Sequence, residues 1–156
     1  VYEYDGPAAV RYPRGQGPGE KIDRDLETVK IGKANLLKKG SSKLIMLNFG
    51  SLLNHAKEIA KKYDMTLIDM RFIKPFDEGI LKKYSSAKWF ITIEDGSLIG
   101  GIGSTIANWV TEQNFKIQVK CFGIPDKFIE HMSREQMIKE AKLDYESITK
   151  ELDKIF

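Results

Sequence analysis

The sequence predicts an α/β fold: three layers built on a mixed, mostly parallel sheet with one antiparallel edge strand. Two observations carry this reading. From Ile31 onward, short apolar runs alternate with helical periodicities of about 10–14 residues, and parallel strands need such crossover helices. The first two runs, Lys33 to Lys38 and Lys43 to Phe49, are separated by Gly40-Ser41-Ser42, a hairpin signature that implies one antiparallel pair.

Each element follows from its own pattern. Leu44-Ile45-Met46-Leu47 is continuously apolar, as a central strand covered on both faces must be. After Gly50, Ser51 is placed to cap a helix whose apolar face is Leu52, Leu53, Ala56, Ile59, Ala60 and Tyr63. Met65 to Met70 is the next strand, and Asp77 caps a short helix carrying Ile80, Leu81 and Tyr84. Trp89 to Ile93 is a third strand of the alternating series. Ile102, Ile106, Trp109 and Val110 mark another helix, and Ile117 to Phe122 a further strand. Ser133 and Gln136 fit a capping box, and Asp144 caps a last helix facing inward with Ile148, Leu152 and Ile155. The five prolines, at 7, 13, 18, 75 and 125, all fall at element edges or in loops.

The opening block differs from the rest. Ala8-Ala9-Val10-Arg11-Tyr12 reads as a short apolar strand, stopped by Pro13 and then by Gly15, Gly17, Pro18 and Gly19. Glu20 to Lys30 is charge-rich, with only Ile22, Leu26 and Val29 as apolar anchors. A strand tethered in this way has no neighbours of its own, so the chain is expected to begin inside the last strand of a preceding domain. Without those neighbours, much of residues 1–30 is expected to be disordered.

Composition narrows the function classes. The chain has 156 residues, with 25 Lys+Arg against 22 Asp+Glu and a formal charge of +3. Opposite charges alternate after Glu20, so no basic arm for nucleic acid is present. No run of about 20 apolar residues exists to span a bilayer. Val1-Tyr2-Glu3-Tyr4-Asp5 is not a basic start followed by an apolar stretch, and the single cysteine, Cys121, cannot close an internal disulfide. A reducing, cytoplasmic setting is expected.

Several residue groups carry candidate chemistry. Gly100-Gly101-Ile102-Gly103-Ser104 lies between a strand and a helix, where bare N–H groups can hold an anion. It lacks both the P-loop lysine and the dinucleotide spacing, and close packing of the turn explains the same glycines. Glu94-Asp95 sit at a strand's carboxyl end, where open α/β sheets place ligands, but adjacent carboxylates point to opposite faces and one is placed to cap the glycine turn. Asp69 and Arg71 share a face and can pair, while Lys74 before Pro75 must be extended; loop fixing and contact with a partner domain are both open. His55 and His131 have no second ligand at metal spacing, and Cys121 reads as a small buried hydrophobe. Arg11-Tyr12-Pro13-Arg14-Gly15 presents two forked donor groups at a strand end, suited to a phosphate, a carboxylate or a linker salt bridge.

Tyr4-Asp5-Gly6-Pro7-Ala8-Ala9-Val10-Arg11-Tyr12-Pro13-Arg14-Gly15 closely resembles the end of the pyrimidine-binding domain in the 1-deoxy-D-xylulose-5-phosphate synthase family of transketolase-like thiamine-diphosphate enzymes. The resemblance continues through Ile31-Gly32-Lys33, Leu47-Asn48-Phe49-Gly50, the run from Asp69 to Asp77, the Gly100 to Ser104 turn, Gly123 to Ile129 and Leu143-Asp144. It implies that residues 1–15 end a pyrimidine-binding domain, 16–30 form a linker, and 31–156 form a transketolase C-terminal-like domain. It further implies a homodimer that condenses pyruvate with glyceraldehyde 3-phosphate, releasing CO2, in a pathway feeding isoprenoid, thiamine and pyridoxal synthesis. Thiamine diphosphate and Mg2+ would lie between the two preceding domains, so none is expected on this chain, which would act as a scaffold beside the remaining domains of the same enzyme. Arg14 is similar to the arginine that binds the aldehyde substrate's phosphate; Arg11 would be structural. The family commonly shows two glutamates and an asparagine where this chain has Glu94-Asp95-Gly96, and often a glycine where Met132 stands. Two alternatives remain at this level: a free-standing nucleotide- or anion-binding module using the Gly100 to Ser104 turn, and an assembly module presenting its last two helices.

Overall fold

The computed structural model describes residues 4–10 and 28–156. Ten elements follow in order: β1 (Asn35–Lys38), β2 (Leu44–Phe49), α1 (Leu53–Lys62), β3 (Thr66–Asp69), α2 (Glu78–Lys82), β4 (Trp89–Ser97), α3 (Ile102–Glu112), β5 (Gln118–Ile124), α4 (Arg134–Glu140) and α5 (Tyr145–Leu152). The five strands form one sheet in the order β1-β3-β2-β4-β5. β1 runs antiparallel to β3, and the other neighbours are parallel. The expected mixed sheet with one antiparallel edge is therefore the observed one.

The hairpin is not. β1 and β2 follow each other in sequence but do not pair; β1 lies against β3, with Asn35 opposite Asp69. The turn's polar groups explain the difference, because they bind the α1–β3 connection instead of closing a two-stranded ladder. Gly40 N–H donates to Thr66 Oγ1 at 3.1 Å, Ser41 N–H donates to Asp64 Oδ2 at 3.0 Å, and Ser42 Oγ donates to the Asp64 carbonyl at 2.8 Å. A Cβ on Gly40 would lie 2.1 Å from that carbonyl oxygen, so only glycine permits the approach. β2 is thereby left between β3 and β4, the central place its continuous apolar run requires.

Alternation along β2 divides the core. Met46 packs with α1 and α5 residues such as Ala56, Ile59, Ile148 and Leu152. Ile45, Leu47 and Phe49 pack on the other face with Leu81 of α2 and with Ile102, Ile106 and Trp109 of α3. Each fully buried leucine, isoleucine or methionine among them contributes about 1.5–3 kcal/mol relative to exposure.

Three predicted caps are present. The Asp77 carboxylate accepts from Ile80 N–H, Asp144 from Ser147 N–H, and Ser133 with Gln136 forms the reciprocal box on α4. The fourth is corrected: α1 begins after Leu52 with no side-chain cap, because the Ser51 hydroxyl is turned to Asp95. β4 extends to Ser97, four residues beyond the expected strand end. Ala8 to Val10 are exposed and form no strand, so the described part of the expected Ala8–Tyr12 strand is absent; Arg11, Tyr12 and the linker through Glu27 lie outside the described residues, as does most of the stretch expected to be disordered.

Candidate functional site

The parallel strands define where a site belongs. From β2 the chain steps outward to β3, then returns across β2 to β4 and continues to β5. The winding reverses between β2 and β4, and open sheets of this kind bind ligands in the crevice outside the carboxyl ends at that reversal. Here the crevice is bordered by Phe49-Gly50-Ser51 and Glu94-Asp95-Gly96.

The two adjacent carboxylates diverge, as expected of neighbours on a strand. Glu94 is 4% exposed and turns to the start of α3. Its Oε2 accepts from Ile102 N–H at 3.2 Å and its Oε1 from Gly103 N–H at 2.9 Å. These are the donors an external anion would use at a helix N-terminus, and the chain's own carboxylate holds them. The glycines of the turn serve that approach: a Cβ on Gly101 would lie 2.0 Å from the Ser97 carbonyl oxygen and 2.6 Å from Glu94 Oε2. Close packing and capping, not an open phosphate cradle, explain the Gly100 to Ser104 turn, and it does not fit a diphosphate.

Asp95 turns the other way, across the crevice. Its Oδ2 accepts from Ser51 N–H at 3.1 Å and from Ser51 Oγ at 2.5 Å, while Arg134 Nη2 donates to Ser51 Oγ at 2.6 Å. Gly50, at φ +95°, lets the turn pass close to this carboxylate; a Cβ there would lie 2.4 Å from Asp95 Oδ1. Asp95, Ser51 and Arg134 thus clasp β4, the entry to α1 and the start of α4. The serine hydroxyl donates to a carboxylate and accepts from a guanidinium, so both of its hydrogen-bonding directions are used within the clasp. His55, one turn along α1, has a buried Nδ1 with no hydrogen-bond partner among the described residues. Sequence reasoning missed Arg134 and assigned Ser51 to a cap, since 83 positions separate the two and neither has a local signature.

The Asp69–Arg71 pair forms, with Arg71 Nε 3.8 Å from Asp69 Oδ2, and Asn48 Nδ2 lies 3.4 Å from Asp69 Oδ1. Nearby, Asp77 accepts from Ala34 N–H at 3.2 Å and faces Lys33 at 3.7 Å. Burial pushes its carboxyl up, but the Ala34 and Ile80 N–H groups and the lysine outweigh burial and leave it below its ordinary value. Cys121 is half-buried, not fully buried, and burial pushes its thiol up. His131 is exposed. A cleft of about 380 Å³ beside β5, lined in part by Lys120, Cys121, Phe122 and Glu151, mixes charges of both signs. Among the described residues no group of three His, Cys, Asp or Glu is placed to hold a metal, and no helix is long and apolar enough to cross a membrane. Arg11 and Arg14 lie outside the described residues.

Residues 32–148 match the family model described as the transketolase C-terminal domain. The chain belongs to that family. The chain is 45% identical over 157 residues to the 1-deoxy-D-xylulose-5-phosphate synthases of Francisella tularensis subsp. novicida (strain U112) and subsp. tularensis (strain WY96-3418). Each alignment covers 99% of this chain and 25% of the relative, so the chain spans about a quarter of the length of the curated relatives it matches. Among solved structures, a "Split gene transketolase, inactive beta4 tetramer" superposes with a TM-score of 0.72 at 25% identity, covering 81% of this chain and 43% of that one. The chain is thus homologous to the matched quarter of these synthases, a transferase family.

Proposed function

We propose that this chain is the C-terminal part of a 1-deoxy-D-xylulose-5-phosphate synthase, which joins pyruvate to glyceraldehyde 3-phosphate and releases CO2. The observation that carries the reading is 45% identity maintained across 99% of the chain to synthases four times its length. Thiamine diphosphate, with Mg2+, would supply the carbanion chemistry on the preceding domains of a homodimeric, cytoplasmic enzyme. Residues 1–15 would end the domain before, 16–30 would link, and 31–156 would form the supporting domain. In support, the described residues offer packing, capping and clasping contacts at the edge where a nucleotide would otherwise bind.

Arg14 is the residue of this chain proposed to touch substrate, through paired N–H donors to the aldehyde's phosphate. Hydrogen bonds between charged groups are worth about 1.5–3 kcal/mol, so Arg14→Ala in the full-length enzyme is expected to raise KM for glyceraldehyde 3-phosphate roughly 10- to 100-fold. KM for pyruvate should stay within about twofold. Steady-state kinetics with each substrate varied separately checks this, and an equal rise in both constants would refute the assignment. Turnover of pyruvate by residues 1–156 alone would refute the supporting role.

A further inference from the structure

At the β5 edge the sheet borders the cleft of about 380 Å³, which is at the small end of the range for ligand sites. The cleft runs from β5 to the end of α4. Alternation along β5 sorts its side chains between the two faces of the sheet. Cys121 faces α3, where a Cβ on Gly103 would lie 3.0 Å from its Sγ. Phe122 packs on the opposite face, with the α1 and α5 residues. Lys120 shares that face, its Nζ 5.5 Å from the centre of the Phe122 ring. Leu98, Pro125 and Leu143 complete an apolar floor beside Phe122.

The charges around this floor do not balance. Lys127 pairs with Glu140, and Glu151 pairs with Lys154. Lys120 and Lys142 also line the cleft, and neither has an ion pair among the described residues. Lys154 chiefly holds the Glu151 carboxyl below its ordinary value, and the fields of Lys120 and Lys142 add to its effect. Two ammonium groups are thus left for an anion from outside. Lys142 also stands against local preference. It follows α4 at φ +57°, and Leu143 N–H donates back to the Ile138 carbonyl at 2.9 Å, the bond that closes a helix on a left-handed residue. Glycine or asparagine ordinarily occupies such a position, and here the chain spends backbone energy to add an ammonium to the cleft.

We propose that the β5 cleft binds a small organic carboxylate with an apolar body about the size of one aromatic ring. The body lies on Phe122, Leu98 and Leu143, and the carboxylate is held between Lys120 and Lys142. Two ammonium point charges, with neither a guanidinium fork nor a cradle of N–H groups, suit a monoanion better than a phosphate.

Photolabelling of the full-length polypeptide with trifluoromethyldiazirinyl benzoate tests this, the adducts being mapped by mass spectrometry. Adducts are expected on the segments that hold Leu98, Phe122 and Leu143, with half-saturation below about 1 mM. Excess benzoate should suppress them. The matching benzyl alcohol has the same body without the charge and should label there roughly tenfold less. Lys120→Gln and Lys142→Gly are each expected to weaken labelling roughly three- to fivefold, the effect of one partly exposed charge contact. Lys142→Gly also relieves the left-handed backbone, so its melting temperature should stay level or rise while binding falls, which separates a lost contact from a lost fold. Equal labelling by acid and alcohol would reduce the cleft to an apolar surface. Labelling that grows in proportion to probe concentration, or that both variants leave unchanged, would reduce it to random contact. Each of these results overturns the proposal, as does a cleft that takes no label. Binding is read without turnover, so its failure leaves the synthase reading intact.

Discussion

Asp64 shows how one side chain sets the position of an edge strand. It sits at φ +48° after α1, where its carboxylate accepts from Ser41 Oγ, Ser41 N–H and Lys38 Nζ. Those donors hold its carboxyl down at about 2, against an ordinary 3.8. The folded value is the lower one, so the stability this group supplies is complete above the unfolded value and is lost as pH falls from about 4 towards 2. Asn also tolerates a left-handed backbone and still accepts hydrogen bonds, but it has no charge to titrate. Urea unfolding of Asp64→Asn is therefore expected to show a flatter decline over that window than the parent. A decline of equal steepness would show that other carboxylates govern acid unfolding. Nothing local in the sequence marks Asp64, because its partners lie 23 and 26 positions earlier.

At the scale of elements, what the sequence shows well is short-range. A cap acts over three residues, which is why Asp77, Ser133 and Asp144 are legible directly. Asp144→Ala is expected to cost about 1 kcal/mol by removing the acceptor for Ser147 N–H at 3.0 Å, with Asp144→Ser recovering most of the loss. Thermal unfolding of the two variants side by side checks this, and equal loss in both would place the contribution elsewhere. Helix faces are legible for the same local reason, and Ile148 and Leu152 are buried as their spacing demands. Strand pairing is not local. β1 and β2 are close in sequence, yet β1 pairs beyond the helix with β3, because the turn's donors find acceptors on residues 64–66. Ser51 reads as a cap from its neighbours alone, and only the folded chain brings Asp95 and Arg134 to it.

Over the whole molecule, one reversal of winding fixes the crevice between β2 and β4, and that place is readable once strands and helices are known to alternate. What fills it was half legible. The Glu94-Asp95 pair reads as supplying one cap for the glycine turn, and Glu94 is the one that does so; the clasp built on Asp95 has no such local sign. The family motifs from Asp69 to Asp77 map to the corner where β1 meets β3, beside the apolar surface around Ile31 and Ile73. The Glu94 carboxylate has a further consequence. Glu94→Ala would vacate the α3 entrance while leaving its two donors aimed inward, and unpaired buried donors cost about 1–3 kcal/mol each. Formate or acetate, small enough to enter the vacated space, should then raise the variant's melting temperature with saturation, whereas chloride at equal ionic strength should not. If both salts act alike, the space has collapsed. If the carboxylates alone succeed, a scaffold that carries its own counter-ion has been turned into a receptor for a soluble one.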